Sequence, residues 1–440
     1  MERLLGAAIS SSQASDIVRS LTDAAGPRSA GSPGDAAAVA WALGALKARG
    51  FANVRAEKVL VPHWVRGAET GEIVAPVRQR LLLTALGGSV PTPPGGVEAE
   101  VVEVTSLEAA DGLGERARGK IVFFYKRMER RKDGSGYGET VPIRGKGASK
   151  AARAGAVGML MRSVGTSDAR FPHTGGMAYE ASAPRIPAAA LAAPDADQLH
   201  RILAEGKPVR VRFSLATQDL PQAESANVMG EIRGRTAPDE IVLLGAHLDS
   251  WDLGTGAVDD GAGCAIVIEA ARLIATLERR PRRTIRVVLY ANEEFGQSGA
   301  KAYAKEHAAE LSRHAAAVEA DIGAGAAMGF SWNAGPGAER LVADVASLLK
   351  PLGAGSLQKG GDGGADIGAL KIAGVPLFGI RQDASRYFDL HHSADDTFDK
   401  IDPRELDTAV ATTAVLAYAL ADSAEPLARI PAADRATPER

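Results

Sequence analysis

The sequence predicts an α/β protein: a mixed, largely parallel-cored sheet flanked by helices, together with a second compact mixed domain. Three observations carry this. Beyond about residue 210, strand-like and helix-like runs alternate. The strand-like runs, "EIVLLGAH" and "RTIRVVLYA", are nearly continuous apolar stretches, as expected of strands covered on both faces. Between about 75 and 205 the texture shifts to short apolar or alternating runs bounded by Gly and Pro.

In chain order, residues 1 to about 70 read helix, loop, helix, strand. "DAAAVAWALGALKARG" has helical texture and stops at Gly50, and "NVRAEKVLVPHW" then alternates like a strand. In the middle region "LLLTALGG", "AEVVEV" and "GKIVFFYK" read as strands. "GASKAARAGAVGMLMRS" follows as a small-residue helix and a strand, a scheme that "PRIPAAAL" and "DADQLHRIL" repeat. After "EIVLLGAH", the run "GAGCAIVIEAARLIATL" places Val267, Ala270, Ile274 and Leu277 on one helical face. "RTIRVVLYA", "SGAKAYAKEH" and "AAVEADIGA" continue as strand, helix, strand. The expected boundaries are 1–74, 75–209 and 210–424 for three regions of different texture, and 425–440 for a polar, Pro-bearing tail that frays.

Composition bounds the function. With 24% charged and 45% hydrophobic residues, the 440-residue chain reads as soluble and globular. A net charge of -3 argues against nucleic-acid or membrane-surface partners. No run approaches the ~20 apolar residues of a membrane span. The lone cysteine, Cys264, excludes an intrachain disulfide and reads as a small buried hydrophobe rather than a nucleophile. The compartment stays open: cytoplasmic as the sequence stands, secreted if a leader has been removed.

The chemistry concentrates at strand ends, where ligand sites of such sheets lie. His247 and Asp249 follow one strand, with Asp259 and Asp260 ten residues on. Glu293 and Glu294 follow the next strand, and Asp321 a third. "YFDLHHSADDTFDKID" supplies His391, His392, Asp395 and Asp396. Any one of these acids could be a helix cap or a solvated loop residue. Together they form a nitrogen and oxygen donor set without thiolate, which suits zinc, with manganese or cobalt as substitutes. One carboxylate can bridge two ions, and one acid must stay off the metals to take a proton from water.

"AHLDSWD", "DDGAG", "NEEFGQSGA", "EADIG" and "HHSADDT" resemble, in order and context, the co-catalytic di-zinc exopeptidases typified by bacterial leucyl aminopeptidase. "VPHWVRGAE", "GGSVPTPPGG", "HTGGMAYE" and "RIPAAAL" extend the likeness to the carboxypeptidase Q (plasma glutamate carboxypeptidase) branch, over most of the chain. The resemblance implies two Zn²⁺ per chain, with Asp259 bridging them. It implies that His247 and Asp321 complete one site and Glu294 and His392 the other. His392 rather than His391 is implied because the family histidine stands four residues before the Asp of Asp396-Thr397. Glu293 is implied as general base, and Asp249 as the acceptor that orients the His247 imidazole. A cis peptide after Asp259 is implied as well.

The resemblance makes 75–209 a protease-associated domain inserted into one discontinuous peptidase domain of 1–74 and 210–424. The insert either covers the site and restricts access to short peptides, or serves as a packing or dimer element. The implied activity is hydrolysis of short peptides, most of all unblocked dipeptides. The alternatives are another amide chemistry on the same site (a deacylase or glutaminyl cyclase) and a non-catalytic binding protein. Expected partners are a short peptide substrate, no nucleic acid and no membrane, with a homodimer left open. A nucleotide-binding reading of "GTGAVDDGAG" fails, because two aspartates would face the phosphates and no Lys-Ser/Thr follows.

Overall fold

A computed structural model describes residues 1–435, in two compact units. The first unit comprises residues 1–61, 222–387 and 396–435, and the second comprises 62–221 and 388–395. Each has an eight-stranded mixed sheet.

In the first sheet the strands run in the order Ala52–Val65, Gln218–Ile232, Arg283–Tyr290, Ala237–His247, His314–Glu319, Leu377–Gln382, Ala327–Asn333, Ser356–Lys359. Ala237–His247 pairs in parallel with both its neighbours, and His314–Glu319 continues in parallel into Leu377–Gln382. Antiparallel pairs flank this parallel core on either side. The central strands are buried along their apolar lengths, as their unbroken Val, Ile and Leu runs require.

One sheet face is covered by Ala262–Ala275, which contacts Ala14–Ala25 and Pro403–Asp422. The apolar stripe expected on Ala262–Ala275 widens to nearly the whole helix: even Glu269 is buried, paired with Arg272 and accepting the N–H of Gln13. Ile241, Leu243, Val288, Tyr303, Ile367 and Leu377 pack together on the other face.

The tail expected to fray packs as far as it is described. Ile430 is fully buried, and Arg429 donates to the carbonyls of Leu311 and His314. An apolar residue flanked by a guanidinium that meets open carbonyls is enough to hold the segment down. The rest of that expectation, 436–440, lies outside the described residues.

The second unit's sheet runs Gln79–Leu81, Glu69–Ala75, Arg210–Leu215, Val97–Val104, Ile121–Phe124, Gly158–Arg162, Ala188–Leu191, Leu83–Ala85. Its longer helices are Gly136–Arg153 and Ala193–Leu203. The short excursion 388–395 is tied to this unit through its backbone: Thr166 N–H donates to Phe388 O, and Thr174 N–H to His392 O, each at 2.9 Å. Among the described residues, no helix is long and apolar enough to cross a membrane.

Candidate metal centre

The first unit brings six of the expected residues to the carboxyl ends of three adjacent parallel strands. His247 is the last residue of its strand, Glu293 and Glu294 lie just beyond Tyr290, and Asp321 lies two residues beyond Glu319. The His247 Nε2 lies 3.3 Å from Asp259 Oδ1 and 3.4 Å from Asp321 Oδ1. Donor atoms of His247, Asp259 and Glu294 come within 4.8 Å of one another, as do those of His247, Asp260 and Asp321.

Two neighbouring aspartates thus compete for one reading, and their hydrogen bonds separate them. Both oxygens of Asp260 are engaged by backbone, accepting the N–H of His247 at 3.1 Å and of Gly263 at 2.9 Å. Asp260 therefore ties the strand end to the start of the helix, and Asp259 is left to face the cluster. The peptide bond between them is cis.

Asp249 does two things. Its main-chain oxygen lies 3.1 Å from His247 Nδ1, nearer than its carboxylate at 3.6 Å. The carboxylate accepts the N–H groups of Glu293 at 3.0 Å and Glu294 at 3.4 Å. The orienting contact to the imidazole thus comes from the backbone, while the side chain sets the turn that carries both glutamates. Trp251 donates its indole N–H to Glu294 at 2.7 Å, fixing that carboxylate's direction.

Three residues that sequence reasoning missed, or left without a role, build the frame. Arg28 is fully buried and donates to the carbonyls of Leu248, Thr255 (2.6 Å) and Gly256 (2.7 Å), clamping the loop between His247 and Asp259. Gly256 has φ +59, and a Cβ there would lie 2.7 Å from that guanidinium. Asp396 accepts the N–H of Val258 at 2.6 Å and of Asp259 at 3.2 Å. Burial, with the Asp259 charge adding, pushes the Asp396 carboxyl up to about 7. Glu319, buried two residues before Asp321, accepts the N–H groups of Asp366 at 3.1 Å and Ile367 at 2.7 Å, fastening the 360–367 loop to the end of its strand. Arg28 sits in an unremarkable "GPRSAG" and carries no local signal. Asp396 was visible as one of the acids of its segment and, with Thr397, as a marker for the histidine, but with no role of its own.

His391 and His392 lie in the second unit, their rings stacked 3.5 Å apart. His392 has φ +58, and its Nδ1 lies 3.4 Å from the Arg144 guanidinium. His173 Nδ1 lies 2.7 Å from the His391 carbonyl, anchoring the histidine pair to the "HTGG" segment.

The electrostatics of the first-unit cluster are those of a cation site. Burial opposes charging of the His247 ring, yet Asp321, Asp249 and Asp259 outweigh it and hold its pKa well above that of a free histidine. Burial pushes Glu293 well above the usual carboxylate range, and the charges of Asp321 and Glu294 add to this against the pull of His247. Buried acids that repel one another are stabilised by a divalent cation among them. The set is imidazole plus carboxylate; the one cysteine turns its thiol to the His247 carbonyl at 3.0 Å and stays out of it. These residues fit a zinc-type ion.

Comparison with known proteins agrees with this geometry. Residues 227–417 match Peptidase family M28. The chain is 37% identical to carboxypeptidase Q of Mus musculus over 93% of this chain and 86% of that protein. It is 36% identical to carboxypeptidase Q of Homo sapiens, over 93% and 85%. The crystal structure of a peptidase M28 precursor from Shewanella amazonensis superposes with a TM-score of 0.96 at 45% identity, covering 98% of each chain. An aminopeptidase from Aneurinibacillus sp. strain AM-1 shares the fold, with a TM-score of 0.66 at 20% identity over 98% of this chain and 97% of that one. The chain belongs to peptidase family M28, whose members hydrolyse peptide bonds.

Proposed function

We propose that this M28 peptidase is a di-zinc exopeptidase acting on short, unblocked peptides, dipeptides above all. The observation that carries the reading is the convergence of His247 Nε2 on Asp259 and Asp321, at 3.3 and 3.4 Å, with Glu294 in the same group. Asp259 would bridge two zinc ions, His247 and Asp321 would complete one site, and Glu294 would serve the other. His392, four residues before Asp396, is assigned as the remaining ligand on the sequence resemblance. Bound there, paired zinc ions polarise a scissile carbonyl and acidify water.

The chain's own residues do the rest. Glu293 takes the proton of the attacking water and returns it to the leaving amine. Asp249 holds the turn that presents Glu293, and Trp251 holds Glu294 so that the two glutamates keep separate roles. The second unit we read as a protease-associated-like domain that limits substrate length.

The test is a panel of dipeptides, N-acetylated dipeptides and aminoacyl amides, assayed with and without chelator, with released amino acid quantified. Free dipeptides should be cut rapidly, acetylated ones poorly, and chelation should abolish both. Equal cleavage of acetylated and free dipeptides would replace the aminopeptidase-like binding mode with a carboxypeptidase or deacylase one.

A further inference from the structure

At the end of the first sheet opposite His247, a cavity of about 320 Å³ opens where the strands Ala237–His247 and Arg283–Tyr290 begin. Asn53, Arg55, Glu231, Arg286 and Glu310 form much of its wall. They belong to a closed ring of alternating charge. Arg55 Nε meets Glu57 at 2.8 Å, Glu57 meets His307 Nε2 at 2.8 Å, and His307 Nδ1 meets Glu310 at 2.5 Å. Glu310 accepts from Arg286 at 2.5 Å, and Glu231 accepts from Arg286 at 2.8 Å and from the Asn53 side chain at 2.6 Å. The Asn53 carbonyl, accepting from Arg55 at 3.3 Å, closes the ring.

The ring balances its own charge. Its acids, Glu57, Glu231 and Glu310, face the cations Arg55, Arg286 and His307. The Glu57 hydrogen bond, with the charges of both flanking glutamates, raises the His307 pKa against the effect of burial, so the imidazole counts among the cations. Glu57 and Glu231 use both carboxylate oxygens within the ring. These acids therefore leave the cavity no surplus of negative charge.

What remains in the wall is Arg233, Arg313 and Asp239. The side chains of Arg233 and Asp239 have no ionic or hydrogen-bonded partner among the described residues. Arg313 reaches only Glu310, loosely, at 3.5 Å. Arg55 engages its Nε and Nη1, and Nη2 is left over. Two guanidiniums and the edge of a third thus stand against one carboxylate, a net positive wall with unused forked donors.

The backbone that carries these side chains is fixed. The Thr284 hydroxyl accepts the N–H of Gly234 at 3.1 Å and donates to the Pro238 carbonyl at 2.7 Å. The neighbours of Arg233 and Asp239 are therefore pinned to one residue of the strand between them. The approach needs glycine: a Cβ at Gly234 would lie 2.4 Å from the Arg282 carbonyl oxygen. Arg313 N–H donates to the Glu310 carbonyl at 2.8 Å, holding the third segment.

We infer that this cavity is a binding site for a small tetrahedral oxyanion of the phosphate class, held by Arg233, Arg313 and the free edge of Arg55. Guanidiniums are forked donors matched to such oxygens. Donors from three separate segments suit an anion whose oxygens point in different directions better than a planar carboxylate. The volume lies at the small end of ligand clefts, roughly 300–1,000 Å³, which suits the ion or a small phosphomonoester and not a dinucleotide. A ligand there would join three segments of the folded chain, so its binding should register as stability.

The test is the thermal unfolding of the zinc-loaded full chain, titrated with inorganic phosphate at constant ionic strength. The unfolding temperature should rise saturably, beyond the response to chloride. In the Arg233→Ala/Arg313→Ala double variant the affinity read from that rise should fall roughly 10–100-fold, the worth of a charged hydrogen bond. Without phosphate, the variant should unfold near the wild-type temperature. Phosphate held by zinc would be indifferent to these substitutions. An equal response in both proteins therefore overturns the inference, as does a wild type that responds no more than to chloride. Asp239→Asn removes the one unpaired acid of the wall and should tighten phosphate; unchanged or weaker binding overturns an anion site there. Glycerol 3-phosphate in place of phosphate separates the sources: tighter binding assigns the site to a phosphomonoester, equal or weaker binding to the inorganic ion, and loss of either response in the double variant supports the site.

Discussion

The carboxylate of Asp249 accepts the main-chain N–H of Glu293 at 3.0 Å, and its second oxygen reaches the N–H of Glu294. One side chain thus sets the backbone from which both glutamates project. Asp249→Ala should lower kcat/KM roughly 10–100-fold. Because the imidazole is also met by the residue-249 main-chain oxygen, His247 should remain a ligand. Zinc retention after dialysis, measured beside turnover, checks this: loss of turnover with most metal retained is expected.

Asp259→Asn should reduce both proposed metal sites together, because the bridging carboxylate serves both. Wild type should bind about two zinc equivalents at full occupancy. Elemental analysis that finds two metals undiminished in the variant would remove Asp259 from the bridging position.

Glu293→Gln should keep metal and fold but lose ~10²–10⁴ in turnover, the usual worth of a positioned acid–base group. Glu294→Ala should lower metal content. Zinc depletion by Glu293→Gln, with Glu294→Ala metal-replete, would exchange the two roles.

Away from the centre, Glu310 links Arg286 and His307, each at 2.5 Å. Burial raises its pKa, but Arg286 and His307 more than offset that and hold the carboxyl down at about 2, against 4.5 ordinarily. A depressed carboxyl stabilises the fold fully above its unfolded pKa and ceases to do so as the pH falls through its folded one. Glu310→Gln should therefore be destabilising at neutral pH, and its deficit should shrink as the pH falls from about 4.5 towards 2. Chemical denaturation of both proteins across that window measures it; a deficit independent of pH would mean that packing, not charge, is lost.

Much of the centre was legible because its donors sit at strand ends, where short apolar runs announce themselves. His247, Glu293 and Asp321 each follow such a run directly. What was hidden depends on pairing at long range. Arg28 reaches carbonyls 220 and more residues away, and no local pattern marks a guanidinium destined for burial. Asp366 sits in a glycine-rich stretch that reads as a loop, and only the acceptance of its N–H by Glu319 fixes it against the strand that precedes Asp321. Asp259 and Asp260 are equivalent in sequence; the backbone bonds of Asp260 tell them apart. Texture placed the insert at 75–209, whereas the compact units divide at 61/62 and 221/222, inside the strands Ala52–Val65 and Gln218–Ile232, where composition does not change.

The Arg28 clamp makes the loop from Leu248 to Gly256 a joint product of the two ends of a long chain. The three carbonyls it satisfies face inward, and without a donor they would be left buried and unpaired. The central parallel strands pair through residues beyond 236 alone, so their ladder does not depend on that guanidinium. The loop does: with Arg28 replaced by a side chain that cannot donate, it would have to open to water to satisfy those carbonyls, and Asp259 would move with it. The strand ladder and the placement of Asp259 are thus held by separate parts of the chain.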